Sequence, residues 1–161
     1  MSASPTKEIY ILDTNVLFGL SLWIPIKLNT IFWSKLESAL QSGEWILLDV
    51  VVGEVTHEGD LKKWCKEQKK NGLVINISDE DRNRAVEINN TYRMIDDTTQ
   101  KSTVDTYLIA HAEANNLIVF SRESPRGNDT QLYKIPDVCD ILKVQHTKSP
   151  ERFYRAIGYK N

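Results

Sequence analysis

Four acidic residues are the part of this sequence best suited to chemistry. Asp13 directly follows a short apolar run, and a buried strand that stops on a carboxylate places that charge at the carboxyl edge of a sheet, where open α/β folds bind their ligands. Glu54, Asp105 and Glu123 each stand where the local pattern predicts the same edge. Four convergent carboxylates offer hard oxygen ligands, which suit Mg²⁺ or Mn²⁺ better than zinc. A metal site of this kind predicts phosphodiester chemistry.

Each acid also has an ordinary structural explanation. Asp13 has the residue type of a helix N-cap, and Glu54 fits an exposed position on an amphipathic helix. Asp105 falls in the first turn of a predicted helix, where a carboxylate compensates the helix dipole, and Glu123 reads as a loop acid. The metal site is the preferred interpretation because separate strand and helix edges present an acid in the same way.

Polar neighbours of the acids are predicted to support them. Thr14 and Asn15 follow Asp13, and Ser121 precedes Glu123 by two positions, so their side chains are expected to hydrogen-bond a carboxylate or a phosphate oxygen. The three histidines show no ligand spacing and are interpreted as structural or surface residues. No Ser-His-Asp or Cys-His arrangement is visible, so we do not expect a covalent route.

Basic residues in two places are candidates for binding a substrate phosphate. Arg122 and Arg126 lie beside the proposed site in the sequence. Lys62, Lys66 and Lys69 fall on one side of a predicted helix, and the alternative for them is a solvated helix face. If the lysines hold RNA, replacing all three should weaken binding and flatten its salt dependence.

Length and composition limit the class of protein. The chain has 161 residues, enough for one domain with a sizeable core. A formal net charge of −2 argues against a protein that coats nucleic acid by bulk attraction. No apolar stretch reaches the roughly 20 residues of a membrane-spanning helix, and the start lacks a signal-peptide pattern. Two cysteines form no framework, so a reduced, cytoplasmic protein is expected.

The elements that must position these residues alternate between strands and helices. Strands are predicted at residues 8–13, 45–48, 73–77, 117–121 and 133–135. Helices are predicted at residues 26–41, 60–71, 78–94, 103–115, 137–142 and 149–158. Residues 50–55 fit either a continuation of the second strand or a short helix, which Asp49 as N-cap favours. The central strands are apolar without alternation, which is typical of a parallel sheet covered on both faces.

The four acidic segments together resemble the motifs of PIN-domain nucleases. Residues 11–17 resemble the opening strand of that family, residues 51–55 its second acidic segment, and residues 104–110 its third. Residues 117–123 are similar to the strand with the fourth acid, although Ser and Glu replace the usual Thr and Asp. Residues 134–139 also resemble a bacterial PIN-like subgroup that carries no assigned function.

The resemblance covers about residues 8–142 and implies a single α/β domain. It implies a three-layer α/β/α sandwich with a mainly parallel sheet, and metal-dependent cleavage of RNA with Asp13, Glu54, Asp105 and Glu123 as catalytic metal ligands. VapC-like members act as toxins paired with an antitoxin protein, and a homodimer is expected from the family.

Two alternatives to the nuclease interpretation remain open. One is a catalytically silent PIN-like module that binds RNA or a protein partner. The other is a phosphatase with an aspartyl nucleophile at Asp13, although such enzymes usually carry a second Asp where this chain has Asn15. The region of Trp23, Ile24 and Trp33 fits either a dimer interface or the core.

Overall fold

Five short strands form the centre of the protein in a computed structural model, which describes residues 8–100, 103–148 and 154–155. The strands are β1 (Tyr10–Leu12), β2 (Trp45–Leu48), β3 (Val74–Ile75), β4 (Ile118–Phe120) and β5 (His146–Thr147). Their order across the sheet is β3-β2-β1-β4-β5, and every pairing is parallel. The predicted parallel sheet is therefore confirmed.

Helices cover the sheet on both faces, as the apolar character of its central strands requires. They are α1 (Thr14–Trp23), α2 (Thr30–Ser42), α3 (Asp49–Glu54), α4 (Asp60–Lys70), α5 (Asp79–Thr91), α6 (Thr103–Asn115) and α7 (Ile135–Leu142). The architecture is the predicted α/β type, a three-layer α/β/α sandwich. Within the described residues, no helix has the length and apolar composition needed to cross a membrane.

The central strands are buried because both of their faces meet helices. All three residues of β1 and all three of β4 are buried, and they pack with the inner sides of the flanking helices in one core. Helix α4 buries the side that contains Leu61, Trp64, Cys65 and Gln68, as its sequence pattern predicts. Ser78 caps α5, since its side chain accepts the backbone N–H of Asp81 at 3.0 Å.

Some sequence-based boundaries are wrong. The predicted strand at residues 133–135 is absent, because Ile135 begins α7, with Pro136 in its first turn. Asp137 stabilises this helix start by accepting the backbone N–H of Lys134 at 2.9 Å. Helix α2 begins at Thr30 rather than at residue 26, and Ile31, predicted on its apolar stripe, is 74% exposed.

One strand was not predicted, and one predicted helix lies almost entirely outside the described residues. The strand His146–Thr147 was not predicted, because two polar residues carry no apolar pattern. The predicted helix at residues 149–158 lies outside the described residues except for Tyr154 and Arg155, which are helical.

The order of the strands creates a switch point beside β1. The chain first adds β2 and β3 on one side of β1, then returns to place β4 and β5 on the other side. The loops after β1 and β4 therefore lead to different sides of the sheet, and a crevice opens between them at the carboxyl edge. Asp13 directly follows β1, and Ser121 directly follows β4. The fold thus sets these two residues at the position where ligands usually bind in such sheets.

Candidate functional site

Asp13 occupies the centre of the switch point. Its backbone N–H donates to the carbonyl oxygen of Phe120 at 2.9 Å, which extends the pairing of β1 and β4 by one residue. Its side chain is only 4% exposed, and its Oδ2 accepts a hydrogen bond of 2.7 Å from Ser121 Oγ. The carboxylate is therefore held in a fixed position at the sheet edge.

The charge of Asp13 is unfavourably placed. Burial raises the pKa of Asp13 to about 6, against an ordinary value of 3.8. The hydrogen bond from Ser121 opposes this shift, whereas the carboxylates of Glu123 and Glu54 add to it. These two acids must therefore lie within electrostatic reach of Asp13. Three of the four predicted acids therefore interact electrostatically.

Glu54 and Glu123 approach the site from opposite sides of β1. Glu54 ends α3 and is exposed, and its Oε1 accepts a short hydrogen bond from the Thr14 hydroxyl at the start of α1. Glu123 is half-buried, and its Oε2 accepts the backbone N–H of Ile135 at 3.1 Å. Both carboxylates therefore already have a protein donor.

Ser121 links the Asp13 carboxylate to the backbone at Glu123. Its hydroxyl donates to Asp13 and accepts the backbone N–H of Glu123 at 3.1 Å. The side-chain nitrogen of Asn15 lies 3.4 Å from Ser121 Oγ. The Oδ1 of Asn15 accepts the backbone N–H of Arg122 at 3.1 Å. Asn15 and Ser121 therefore contact the site as expected of supporting residues, and Thr14 does so through Glu54.

Asp105 lies in the first turn of α6 and is buried. Helix α6 packs against both β1 and β4, so this carboxylate belongs to the part of the fold that adjoins the switch point. Its role as the fourth ligand stays a prediction.

The acids fit a hard divalent cation by the chemistry of their oxygen atoms. In the described part of the chain, however, no three His, Cys, Asp or Glu side chains are arranged as a group that could hold a metal ion. Asp13, Glu54 and Glu123 are the residues that would form such a group, and the last two now bind protein donors.

The two arginines beside the site have different surroundings. The guanidinium of Arg122 lies against Gly19 of α1, so closely that a Cβ atom on Gly19 would collide with it. The guanidinium of Arg126 lies 3.7 Å above the ring of Tyr133 and 3.7 Å from a carboxylate oxygen of Asp129. Arg126 therefore organises its own loop, whereas the Arg122 side chain lies against α1.

The predicted lysine face lies on α4, which packs against α1 and α3. Lys62 is held by Glu58, with 2.6 Å between its Nζ and the carboxylate oxygen. Lys66 and Lys69 are exposed. These two lysines are the members of the face that are available to a partner.

Sequence reasoning missed most of the residues that line a groove at Arg122, among them Gly19, Lys148 and Tyr154. Gly19 had a local signal, because a glycine inside a helix costs stability and often marks a close approach. Lys148 and Tyr154 had none, since their position depends on the unpredicted strand β5 and the chain beyond it.

The fold and the site together define an α/β protein with acidic residues gathered at the switch point of a parallel sheet. The chain belongs to the family described as Domain of unknown function (DUF4411), whose model matches residues 10–157. No curated protein matches the chain. The family description assigns no activity, so the resemblance to PIN-domain nucleases stays a prediction.

Proposed function

We propose that this protein is a metal-dependent ribonuclease that hydrolyses phosphodiester bonds in RNA. The observation that carries the proposal is the buried carboxylate of Asp13 at the switch point, on which Glu54 and Glu123 both act electrostatically. Like charges at close range destabilise one another, and a bound cation would offset that cost. The order and spacing of the acidic motifs, which resemble those of PIN-domain nucleases, support the same function.

Asp13, Glu54 and Glu123, with Asp105 from the start of α6, are the residues that would hold Mg²⁺ or Mn²⁺. Such an ion supplies a bound water of lowered pKa and offsets negative charge at the phosphoryl group. It requires ionised carboxylates, which Asp13 provides when the pH is above its raised pKa of about 6.

The remaining residues of the site position the reacting groups. Ser121 fixes Oδ2 of Asp13, and the backbone N–H of Thr14 also hydrogen-bonds this carboxylate. Asn15 fixes the backbone at Arg122, and this cation is the candidate contact for a phosphate next to the scissile bond. Lys66 and Lys69 would attract the RNA chain at longer range.

The biological setting follows from the resemblance and is proposed with it. A VapC-like protein would act in the cytoplasm as the toxin of a toxin–antitoxin pair, and would form a homodimer. These proposals need the nuclease activity to be established first.

The test is an RNA cleavage assay with purified protein and a mixed RNA pool. We expect cleavage with Mg²⁺ or Mn²⁺ and none with excess chelator. Asp13→Asn should lose more than about 10- to 100-fold of the cleavage activity, which is the cost of removing only a supporting partner of a metal ligand. Asp79→Asn is the matched control, because Asp79 is an exposed acid in the first turn of α5. Cleavage that survives the chelator or Asp13→Asn would contradict the proposal. RNA binding without cleavage under every condition would instead favour the silent module.

A further inference from the structure

A groove between α1 and the end of β4 combines apolar walls with two cations. It has a volume of about 330 Å³. Its aromatic side chains are Phe120, Trp23 and Tyr154, and aliphatic side chains of α1 complete the walls. Arg122 and Lys148 are the charged residues of this lining. The groove can therefore offer apolar contact and positive charge to the same ligand.

The positive charge of the groove is not balanced by a carboxylate in the part of the chain that the structure describes. Neither Arg122 nor Lys148 forms an ion pair there. The guanidinium of Arg122 lies against Gly19 of α1, and Lys148 Nζ donates to the neutral Ser124 Oγ at 3.1 Å. Because complementary charge selects a partner, the ligand that fits this groove is an anion.

The apolar part of the groove favours an aromatic ligand. Trp23 is 76% exposed, whereas the other three tryptophans of the chain are buried in the core. The ring of Tyr154 is held by an edge-on contact with Phe32, with 6.1 Å between the ring centroids. Aromatic rings gain stability from stacked or edge-to-face contact beyond the burial of their area. A flat ring is therefore the apolar group that these walls bind best.

We infer that this groove is a binding site for a small aromatic carboxylate. The carboxylate binds at Arg122, whose planar guanidinium presents paired N–H donors that match two carboxylate oxygens, and Lys148 adds a second positive charge. The aromatic body lies against Trp23 and Tyr154. The volume is near the lower end of ligand pockets, which are about 300–1,000 Å³, and this suits a compact molecule. The inference does not depend on the proposed ribonuclease function, because neither RNA nor a metal takes part.

The test uses naphthoate, an aromatic carboxylate, and naphthylmethanol, its neutral counterpart. Each is titrated into the full-length ¹⁵N-labelled protein, and binding is followed by NMR through the indole N–H signals. We expect naphthoate to bind at least about 10-fold more tightly than the alcohol, because a hydrogen bond to a charged group is worth about that factor. The Trp23 signal, assigned by its loss in Trp23→Phe, should shift, whereas the signals of the three buried tryptophans should stay in place.

Two substitutions with matched controls locate the ligand. Arg122→Gln should weaken naphthoate binding by about 10- to 100-fold, because it removes the charged partner of the carboxylate. Arg82→Gln should not, since Arg82 is an exposed arginine of α5 that does not line the groove. Trp23→Ala should weaken binding by about 2- to 10-fold through the lost ring contact. Leu28→Ala is its control, because Leu28 is 81% exposed but lies outside the groove.

Gly19→Ala tests the position of Arg122 without removing its charge. The new Cβ would meet the end of a flexible side chain, so the fold should be kept while the guanidinium is displaced. Naphthoate binding should weaken towards the level of Arg122→Gln. Gly53→Ala, where an added Cβ meets open space, should bind as the parent does.

Several results would overturn the inference. They are equal binding of naphthoate and naphthylmethanol, no binding of naphthoate at all, or equal losses in Arg122→Gln and Arg82→Gln. Octanoate that binds as tightly as naphthoate would assign the groove to aliphatic carboxylates instead, and AMP that binds more tightly would assign it to a phosphate. Naphthoate binding by a protein that cleaves no RNA would support this inference and contradict only the proposed function.

Discussion

Asp13 and Asp81 each expose only 4% of their surface, but Asp13 lies deeper in the protein, and their pKa values move in opposite directions. Burial raises the pKa of both carboxyls. At Asp81 this effect is outweighed by His111, whose Nδ1 lies 2.8 Å from Oδ2, and by the backbone N–H of Ser78. At Asp13, two further acids add to burial, and the pKa rises to about 6.

The difference shows which carboxylate serves the fold. Asp81 caps α5 and joins it to α6, and nearby Arg84 and Glu113 join the same helices through two hydrogen bonds of 2.7 and 3.1 Å. Arg84 thus pairs with an oppositely charged residue, and Asp81 pairs with the titratable ring of His111. Among the described residues, the Asp13 carboxylate is hydrogen-bonded by a hydroxyl and a backbone N–H and has no cationic partner, so its charge is not balanced. Unbalanced charge of this kind is typical of functional sites.

The largest expected effects on stability come from replacing each of the two carboxylates, Asp13 and Asp81, by Asn. Asp13→Asn removes a destabilising charge, so the free energy of unfolding at pH 8 should rise by up to about 3 kcal/mol, the equivalent of moving a pKa from 3.8 to about 6. Asp81→Asn removes a stabilising one, so the free energy should fall by about 1–3 kcal/mol. Urea unfolding of both variants measures these changes, and effects of the same sign would break the comparison.

In the parent protein, the pH dependence of stability should show the titration of both Asp13 and Asp81. Because the folded pKa of Asp13 is above its ordinary value, stability should rise as the pH falls from about 7 towards 4. Because the pKa of Asp81 is lowered, its contribution is present above its ordinary pKa of 3.8 and is lost at lower pH. In Asp13→Asn the rise should disappear while the acid loss remains. A parent protein that loses stability steadily below pH 7 would contradict this.

Ser121→Ala should have a smaller effect of about 1–2 kcal/mol, because it removes one hydrogen bond to an ionised group. Since that bond lowers the pKa of Asp13, the pH at which stability begins to rise should move upwards. Ser34→Ala, at an exposed serine of α2, is the control. An unchanged pH profile would mean that Ser121 does not support the carboxylate.

Arg84→Gln should have the smallest effect, about 0.5–1 kcal/mol, because Arg84 and Glu113 are each about one-third exposed and solvent screens their attraction. Thermal unfolding at low and high salt measures it, and the difference from the parent should shrink with salt. A loss comparable to that of Asp81→Asn would show that the ion pair, rather than the buried carboxylate, holds α5 to α6.

Local patterns explain how much of the fold could be predicted from the sequence. Strands β1 and β4 are continuous apolar runs, and α4 has one apolar side, so these elements follow from the residues themselves. The strand β5 consists of two polar residues that pair with β4, and only the tertiary structure makes it a strand. Ile31 was assigned to the apolar stripe of α2, but the buried face of this helix is formed by Phe32, Trp33 and Leu36, and Ile31 lies off that face.

The candidate site likewise has one part that local sequence patterns predict and another part that they do not. The acids Asp13, Glu54 and Glu123 were predicted to converge because each ends or follows an element at the same sheet edge. Glu54 and Glu123 act electrostatically on Asp13, and a shared metal site stays a prediction. The contact of Arg122 with Gly19 joins two distant segments, and no local pattern encodes it.

The pKa of Asp13 itself tests the central claim most directly. In protein with ¹³C-labelled aspartate, the Asp13 carboxyl signal can be assigned by its loss in Asp13→Asn and followed by NMR through a pH titration. We predict a pKa near 6 without divalent ions, and a fall to about 5 or lower with saturating Mg²⁺, because an adjacent cation favours the charged form. The Asp81 signal should not change. A pKa of Asp13 that stays near 6 with saturating Mg²⁺ would contradict the assignment of these acids as a metal site.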